Sequence, residues 1–354
     1  MSTNAERLDQ NPDCSEHVLV ADIGGTNARF ALADLAGKRP VLHEMRRLSA
    51  KDFASLLQAT RSYLKGIEAR PARAAFAVAC PVSGDEIRLT NRAWSFSREE
   101  LRRALGLEEL LIVNDFGAAA RAVPALHANE REILYGVSDS RAVPASGPVS
   151  VLGPGTGLGM ALLAPPVRSR TTWQVIETEG GHASYAPQGT EERSIHGWLA
   201  ERHGRVSIER VLSGRGLSAI HAALGGHSPS KQKTSDEELE VPEQIVAAAI
   251  RGEDVLARRA LARFCAILGS VAGDAALIHG ARTVAIAGGI VPRFIPFLRS
   301  SAFRERFLDK GRFAAYLESV QVIVVTRDEL GLLGVALCLS ELRNDNRSIT
   351  DVFP

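Results

Sequence analysis

Three glycine-rich turns follow apolar runs in this sequence: Asp22-Ile23-Gly24-Gly25-Thr26-Asn27, Gly155-Thr156-Gly157-Leu158-Gly159 and Ala287-Gly288-Gly289-Ile290. Backbone without a Cβ turns tightly and can approach a phosphate closely. Successive N–H groups in such a turn form a concavity that binds anions. Thr26 adds a hydroxyl donor. Asp22, at a strand end, suits Mg²⁺ held through water, because magnesium prefers oxygen ligands and keeps much of its hydration. Taken alone, each of these turns is better explained by plain hairpin or strand-to-helix geometry. Three at strand ends in one chain make that bland explanation much less attractive. No Gly-Lys-Ser/Thr follows the second turn, so it is not a Walker loop. A strand rather than a helix is expected after it, so it is not a dinucleotide fingerprint either.

Three polar groupings could work beside such turns. Asn114-Asp115 ends the apolar run Leu110 to Val113. A carboxylate at the carboxyl end of a strand can take a proton from a substrate hydroxyl. Asp is equally favoured as the N-cap of the alanine-rich helix that follows, and the two roles are compatible. Glu179-Gly180-Gly181-His182 places a carboxylate and an imidazole around a close backbone approach, offering acceptors and a donor to neighbouring sugar hydroxyls. A glycine turn with solvated flanks is the plainer account. Glu209 follows Ser207, an expected helix cap, and would then sit in a first turn where the helix dipole favours negative charge.

The elements that must position these groups are legible. Val18–Ala21 and Ala28–Ala33 flank the first glycine turn as a hairpin, and the second turn repeats that theme 131 residues later. Ser97, Glu100 and Gly106 mark a capping box and a stop. A long helix is expected from about Asp254 to Ile278, with Leu261, Phe264, Cys265, Leu268, Val271, Ala272 and Ala275 on one face and Gly280 as its cap. A strand over 283–287 leads into Gly288-Gly289 and then a helix. The apolar tail is expected to be helical and to return to the first domain. Strands alternating with helices argue for an α/β architecture with a cleft between two lobes.

Composition narrows the class. The 354 residues are 45% hydrophobic, and 42 Lys plus Arg balance 41 Asp plus Glu, a net charge of +1. Such a balance gives no net pull toward nucleic acid or an anionic membrane. Cys14, Cys80, Cys265 and Cys338 are widely spaced, with no C-x-x-C pair, which fits a reducing cytosol. The charge-free stretch 142–167 carries five Pro and five Gly, so it is rejected as a membrane span. A soluble cytoplasmic protein is expected.

The phrases ADIGGTNARFAL, LTNRAWSFS, LLIVNDFGAAA, GPGTGLGMALL, ETEGGHASYAP, ERVLSGRGL and AIAGGI run in this order over residues 20–290. Together with the tail phrase LGLLGVAL they closely resemble the bacterial glucokinase family of the sugar kinase, Hsp70 and actin superfamily. The resemblance implies a two-lobed actin-like, ribonuclease H-like ATPase fold. We expect a disordered leader over 1–16, a small α/β domain from 17–127 plus 331–354, and a large α/β domain over 128–330. The resemblance also implies ATP with Mg²⁺, transfer of the γ-phosphoryl group to the 6-hydroxyl of glucose, and a homodimer. Asp115 matches the catalytic base. Asn114, Glu179, His182 and Glu209 match sugar ligands. Asp22, Ile23, Gly24, Gly25, Thr26 and Asn27 match the first phosphate loop, Gly155, Thr156 and Gly157 the second, and Gly288 and Gly289 the adenosine-side turn. The chain departs from the family in its leader, in a Pro-rich insert around Val143–Pro148, and in a polar loop near Ser228–Glu240. Related repressors carry a Cys-rich zinc motif that this chain lacks. A kinase for mannose, fructose or an N-acetylhexosamine is the nearest alternative. A catalytically silent sugar sensor is another, against which Asp115 argues.

Overall fold

The computed structural model describes residues 17–80, 82, 84–89, 94–136, 147–168, 172–227 and 239–344. The leader with Cys14, residues 90–93, residues 143–146 of the Pro-rich insert and residues 228–238 of the polar loop lie outside the described residues. The chain divides into two compact units, Met1–Ala118 with Gly331–Pro354, and Ala119–Leu330.

In the first unit the strands are β1 (His17–Ile23), β2 (Asn27–Asp34), β3 (Val41–Ser49), β4 (Arg73–Val78), the short pair β5 (Glu86–Arg88) and β6 (Ser95–Ser97), and β7 (Glu109–Asn114). The main sheet runs β3-β2-β1-β4-β7. β1, β2 and β3 pair antiparallel, and β1, β4 and β7 pair parallel. Its central strands read as continuous apolar runs because both faces are covered. Leu19, Ala21 and Ile23 pack with Phe30, Phe76, and Leu56 and Tyr63 of α1 (Leu56–Ile67). The alternate residues Val18 and Val20 pack with Leu332, Val335, Ala336 and Leu339 of the C-terminal helix, Leu330–Asn344. The tail thus does return to the first unit. Gly334 makes that packing close, since a Cβ there would collide with the Ala118 carbonyl oxygen.

The helix α2 (Arg98–Leu105) is capped as read, with Ser97 Oγ accepting the Glu100 N–H at 3.1 Å and Gly106 ending it at φ 69°. The carboxylate next to that cap is Asp85 rather than Glu100. It accepts the Ser97 hydroxyl at 2.6 Å and the Glu99 N–H at 3.0 Å. A third helix, α3 (Asp115–Ala122), leaves β7 directly and ends in a 3₁₀ turn at Val123–Ala125, where Pro124 stops α-helical bonding.

The second unit repeats the plan. Its strands are β8 (Arg131–Tyr135), β9 (Val149–Pro154), β10 (Leu158–Ala164), β11 (Gln174–Thr178), β12 (Thr283–Ile286) and β13 (Gln321–Val325), in the order β11-β10-β9-β12-β13-β8. The first five have the same order and directions as the sheet of the first unit, so the duplication read from two glycine turns extends to the whole sheet. Among the described residues the helices here are α4 (Gly189–His203), α5 (Gly214–Leu224), α6 (Pro242–Arg251), α7 (Val255–His279), α8 (Ile295–Ser300), α9 (Phe303–Leu308) and α10 (Ala314–Glu318).

α7 starts where Asp254 accepts the Leu256 and Ala257 N–H groups, and Gly280 caps its end at φ 59°. All seven residues expected on its apolar face are buried. By length and composition α7 could cross a membrane, but 72% of its apolar window is buried within the unit, as in a core helix. The helix expected after Gly289 is split into a 3₁₀ turn, Val291–Phe294, and α8. Pro296 has no N–H for the carbonyl four residues back, so one continuous α-helix cannot form.

Candidate functional site

In the first unit, parallel pairing decides what meets what. Ile23 pairs with Val78, and Val78 with Asn114, so β1 and β7 end level on either side of β4. Adjacent strands lie ~4.8 Å apart, which puts Asp22–Asn27 and Asn114–Asp115 at one sheet edge, about 10 Å apart. The first turn closes with the Gly24 N–H donating to Asn27 O at 3.0 Å, and Thr26 O accepts the Ala50 N–H at 3.0 Å. Gly24 has no positive φ, and a Cβ there would meet nothing nearer than Asn27 O at 3.5 Å. The turn itself therefore tolerates a side chain at this position. What glycine adds at 24 is bare backbone facing outward.

Asp22 sits opposite Arg29 across the hairpin, with Arg29 Nη1 donating to Oδ2 at 3.0 Å. Burial pushes its carboxyl above the usual aspartate range, while the Arg29 charge and hydrogen bond pull the other way. A Cβ on Gly331 would come within 3.1 Å of Oδ2, so that glycine makes room for the carboxylate at the start of the C-terminal helix. A negative charge is favoured there by the helix dipole.

At the head of α3, Asn114 Oδ1 accepts the Gly117 N–H at 2.9 Å, and Asp115 Oδ1 accepts the Phe116 N–H at 2.8 Å. The cap is thus Asn114, not Asp115, because β7 pairing runs through Asn114 and α3 begins one residue later. With its oxygen so used, Asn114 has its amide NH₂ to offer a hydroxyl. Cys80 lies close by; burial raises its thiol pKa, and the Asp115 charge adds to that.

In the second unit the candidate residues gather around Leu158. The second glycine turn closes with Gly155 N–H donating to Gly157 O at 2.8 Å. Glu209 Oε2 accepts the Leu158 N–H at 2.9 Å, and a Cβ on Gly157 would fall 2.5 Å from that same oxygen. A Cβ on Gly181 would collide with Leu158 O, and one on Gly180 would lie 3.0 Å from Met160 Sδ. The Glu179–His182 turn is therefore glycine-rich because it lies flat on β10. Ile208 N–H donates to Ala183 O at 2.9 Å and Tyr185 N–H to Val206 O at 3.0 Å, tying that turn to the segment bearing Glu209. The Glu179 and His182 side chains are 81% and 57% exposed, and their nearest polar atoms stand 3.9 Å apart, beyond hydrogen-bond reach.

Gly288, at φ 108°, packs on the end of β9, where a Cβ would fall 2.5 Å from Pro154 O, while Gly289 faces open space.

The expected helix at Glu209 is instead one 3₁₀ turn, Ile208–Arg210, and Ser207 makes no side-chain cap. The cap lies at Ser213. Its hydroxyl donates to Glu209 O at 2.9 Å and accepts the Gly216 N–H at 3.1 Å. Glu209 turns toward Leu158 rather than toward a helix dipole. Gly214, first in α5, donates its N–H to Gly155 O at 2.8 Å, so α5 begins against the second glycine turn. Sequence reasoning passed over Ser213 and Gly214. The signal was a serine just before the apolar repeat of α5. Arg29 and Gly331 were also passed over, and only cross-strand register or tertiary contact brings them to Asp22.

The sequence pattern of the glucokinase family matches residues 19–342, a span that holds every candidate residue in both units. The chain belongs to the glucokinase family. A relative named glucokinase from Tolumonas auensis is 42% identical over 321 residues, covering 90% of this chain and 96% of its own. A solved glucokinase from an Antarctic psychrotroph is 37% identical, with a TM-score of 0.76 over 92% of this chain and 99% of that one. A glucokinase from Balamuthia mandrillaris, solved in complex with glucose, is 22% identical with a TM-score of 0.75 over 91% and 93%, a likeness of fold alone. The two α/β units are those of the two-lobed, actin-like sugar kinase fold.

Among the described residues no three His, Cys, Asp or Glu side chains gather as a metal cage. Asp22 already shares Oδ2 with Arg29 Nη1 at 3.0 Å, so a cation placed there would take most of its ligands from water and phosphate.

Proposed function

We infer that this chain is a glucose kinase: it transfers the γ-phosphoryl group of ATP to the 6-hydroxyl of glucose, giving glucose 6-phosphate and ADP. The observation that carries the reading is the family match across residues 19–342, backed by 42% identity over 90% of the chain to a glucokinase. Phosphoryl transfer asks a protein mainly for positioning and charge stabilisation. The bare backbone at Gly24 and Gly289 supports their reading as places where nucleotide approaches. The Gly24–Asn27 and Gly155–Gly157 loops meet the phosphates, with the Gly24 and Gly155 N–H groups spent on closing the turns, and Gly288-Gly289 flanks the adenosine. Asp22 would hold Mg²⁺, through water. When bound, that ion neutralises charge on the β- and γ-phosphates.

Glucose is uncharged and must be gripped by directional hydrogen bonds. Asn114, Glu179, His182 and Glu209 suit that task, and polar groups that a bound but wrong sugar covers and leaves unpaired give selectivity. Asp115 accepts the proton of the 6-hydroxyl as its oxygen attacks the γ-phosphorus. The enzyme works in the cytoplasm as a homodimer; the buried Cys80 and Cys265, in no disulfide among the described residues, support a reducing compartment.

A coupled assay for glucose 6-phosphate, with mannose, fructose and N-acetylglucosamine alongside, tests the reading. Turnover with ATP, Mg²⁺ and glucose is expected. Transfer to another hexose but not to glucose would remove the glucose assignment, and transfer to none would remove the kinase. Light scattering on the eluted protein checks for a mass of two chains.

A further inference from the structure

Glu209 is read above as a sugar ligand, and its carboxylate has a second contact that this role does not explain. Oε2 accepts the N–H of Leu158, the first residue of β10 and the partner of Pro154 where the β9–β10 hairpin closes. The same oxygen occupies the space a side chain on Gly157 would need, 2.5 Å from the missing Cβ, while Oε1 lies 4.0 Å from that point. Gly157 has no positive φ, so turn geometry does not demand glycine there. The residue is bare because a carboxylate fills its place.

The main chain of Glu209 holds the other side of the turn. Its carbonyl takes the Ser213 hydroxyl at 2.9 Å, Ser213 caps α5, and Gly214, first in α5, donates to Gly155 O at 2.8 Å. Gly155 and Leu158, the two ends of the turn, are thus both fastened to Glu209, one through α5 and one through the side chain.

We propose that Glu209 is a positioning residue for the second glycine loop, so that one carboxylate serves both substrates, Oε2 setting the backbone that meets nucleotide while the group also reads the hexose. This rests on the sugar-kinase reading of the two loops, and the experiment separates the two claims.

AMPPNP binding is measured by calorimetry without sugar, and glucose KM by steady-state kinetics, for wild type, Glu209→Ala, Glu209→Gln and Gly157→Ala. Glu209→Ala leaves the Leu158 N–H without its charged acceptor and should weaken AMPPNP by about 10- to 100-fold, the usual range for a hydrogen bond to a charged group. Glu209→Gln keeps an acceptor oxygen, so it should recover most of the nucleotide affinity while still raising the glucose KM. Gly157→Ala must displace the carboxylate and should weaken AMPPNP as Glu209→Ala does.

Wild-type AMPPNP affinity in Glu209→Ala with a raised glucose KM would overturn the proposal and leave the kinase reading intact. Weakened AMPPNP with an unchanged glucose KM would keep the brace but overturn the claim that one carboxylate serves both substrates. A merely structural Glu209 would lower the melting temperature of both Glu209 variants without separating their AMPPNP affinities, and that result also overturns the proposal. Should Glu209→Ala fail to fold, Gly157→Ala and Glu209→Gln decide: equal, wild-type AMPPNP affinity in both counts against the brace.

Discussion

Asn114 and Asp115 divide the head of α3 between them, and that division decides what a substitution costs. Asn114 supplies the capping oxygen, while Asp115 Oδ1 accepts the neighbouring Phe116 N–H. An amide oxygen at 115 can keep that bond, so Asp115→Asn should melt at the wild-type temperature. It loses the carboxylate that accepts the hexose proton, and kcat should fall by about 10²–10⁴. Steady-state kinetics beside a melting curve check both halves, and an unchanged kcat would remove Asp115 as the base. That two polar groups end this strand was legible, because an apolar run closing in Asn-Asp is a local pattern. Which of them caps was not. Asn and Asp cap about equally well, and the choice follows the pairing of Val78 with Asn114, a register set by a distant strand.

Between elements, the glycines fall into two kinds that the sequence writes identically. Gly24 is bare although the turn around it has room for a Cβ, whereas Gly181 is bare because β10 lies against it. Gly24→Ala should therefore keep its stability to within about 0.5 kcal/mol. It should lose roughly 10- to 100-fold in kcat/KM for ATP, as displaced reacting groups do. Gly181→Ala drives a methyl into Leu158 O, which should cost about 1–3 kcal/mol and raise the glucose KM as the Glu179–His182 turn shifts. Melting curves and separate KM values for the two substrates distinguish these outcomes. Wild-type ATP kinetics in Gly24→Ala would mean the first loop does not meet phosphate.

Caps show the same limit of legibility. Asp254 and Gly280 bracket α7 as read, because both signals adjoin one long apolar repeat. Ser207 and Ser213 both precede plausible helices, and the choice between them is tertiary. Ser207 is held in a bridge to Ser184, and the Arg210 N–H that its hydroxyl could take goes to the Ser207 carbonyl at 3.1 Å, while the Ser213 hydroxyl is free to accept the Gly216 N–H and finds Glu209 O for its own proton.

Across the whole molecule, two units with the same strand plan each bury a core of their own, and among the described residues the one carboxylate that is fully buried, Glu192, lies in the second. It joins α4 to α7 and α9 by accepting Arg306 Nη1 at 2.7 Å, Arg263 Nη1 at 3.2 Å, the Tyr185 hydroxyl at 2.7 Å and the Gln188 N–H at 2.8 Å. Nothing local marks it, since Glu191-Glu192-Arg193 reads as an ordinary solvated helix face. Burial alone would raise its carboxyl pKa, but the bonds from Arg306, Tyr185 and Gln188 outweigh that and hold it below the usual glutamate range. A carboxylate whose pKa is lower folded than unfolded stabilises the fold above its unfolded pKa. That contribution is lost as pH falls through the folded value. Acid should therefore weaken the molecule progressively below about pH 4.5, the ordinary glutamate range. Glu192→Gln should be less stable at pH 7, by up to the ~3–5 kcal/mol of a broken buried pair, yet lose less on acidification, because the titrating group is gone. Urea unfolding of both proteins at pH 7 and pH 4 measures the difference in slope, and parallel losses would show that Glu192 does not carry the acid sensitivity.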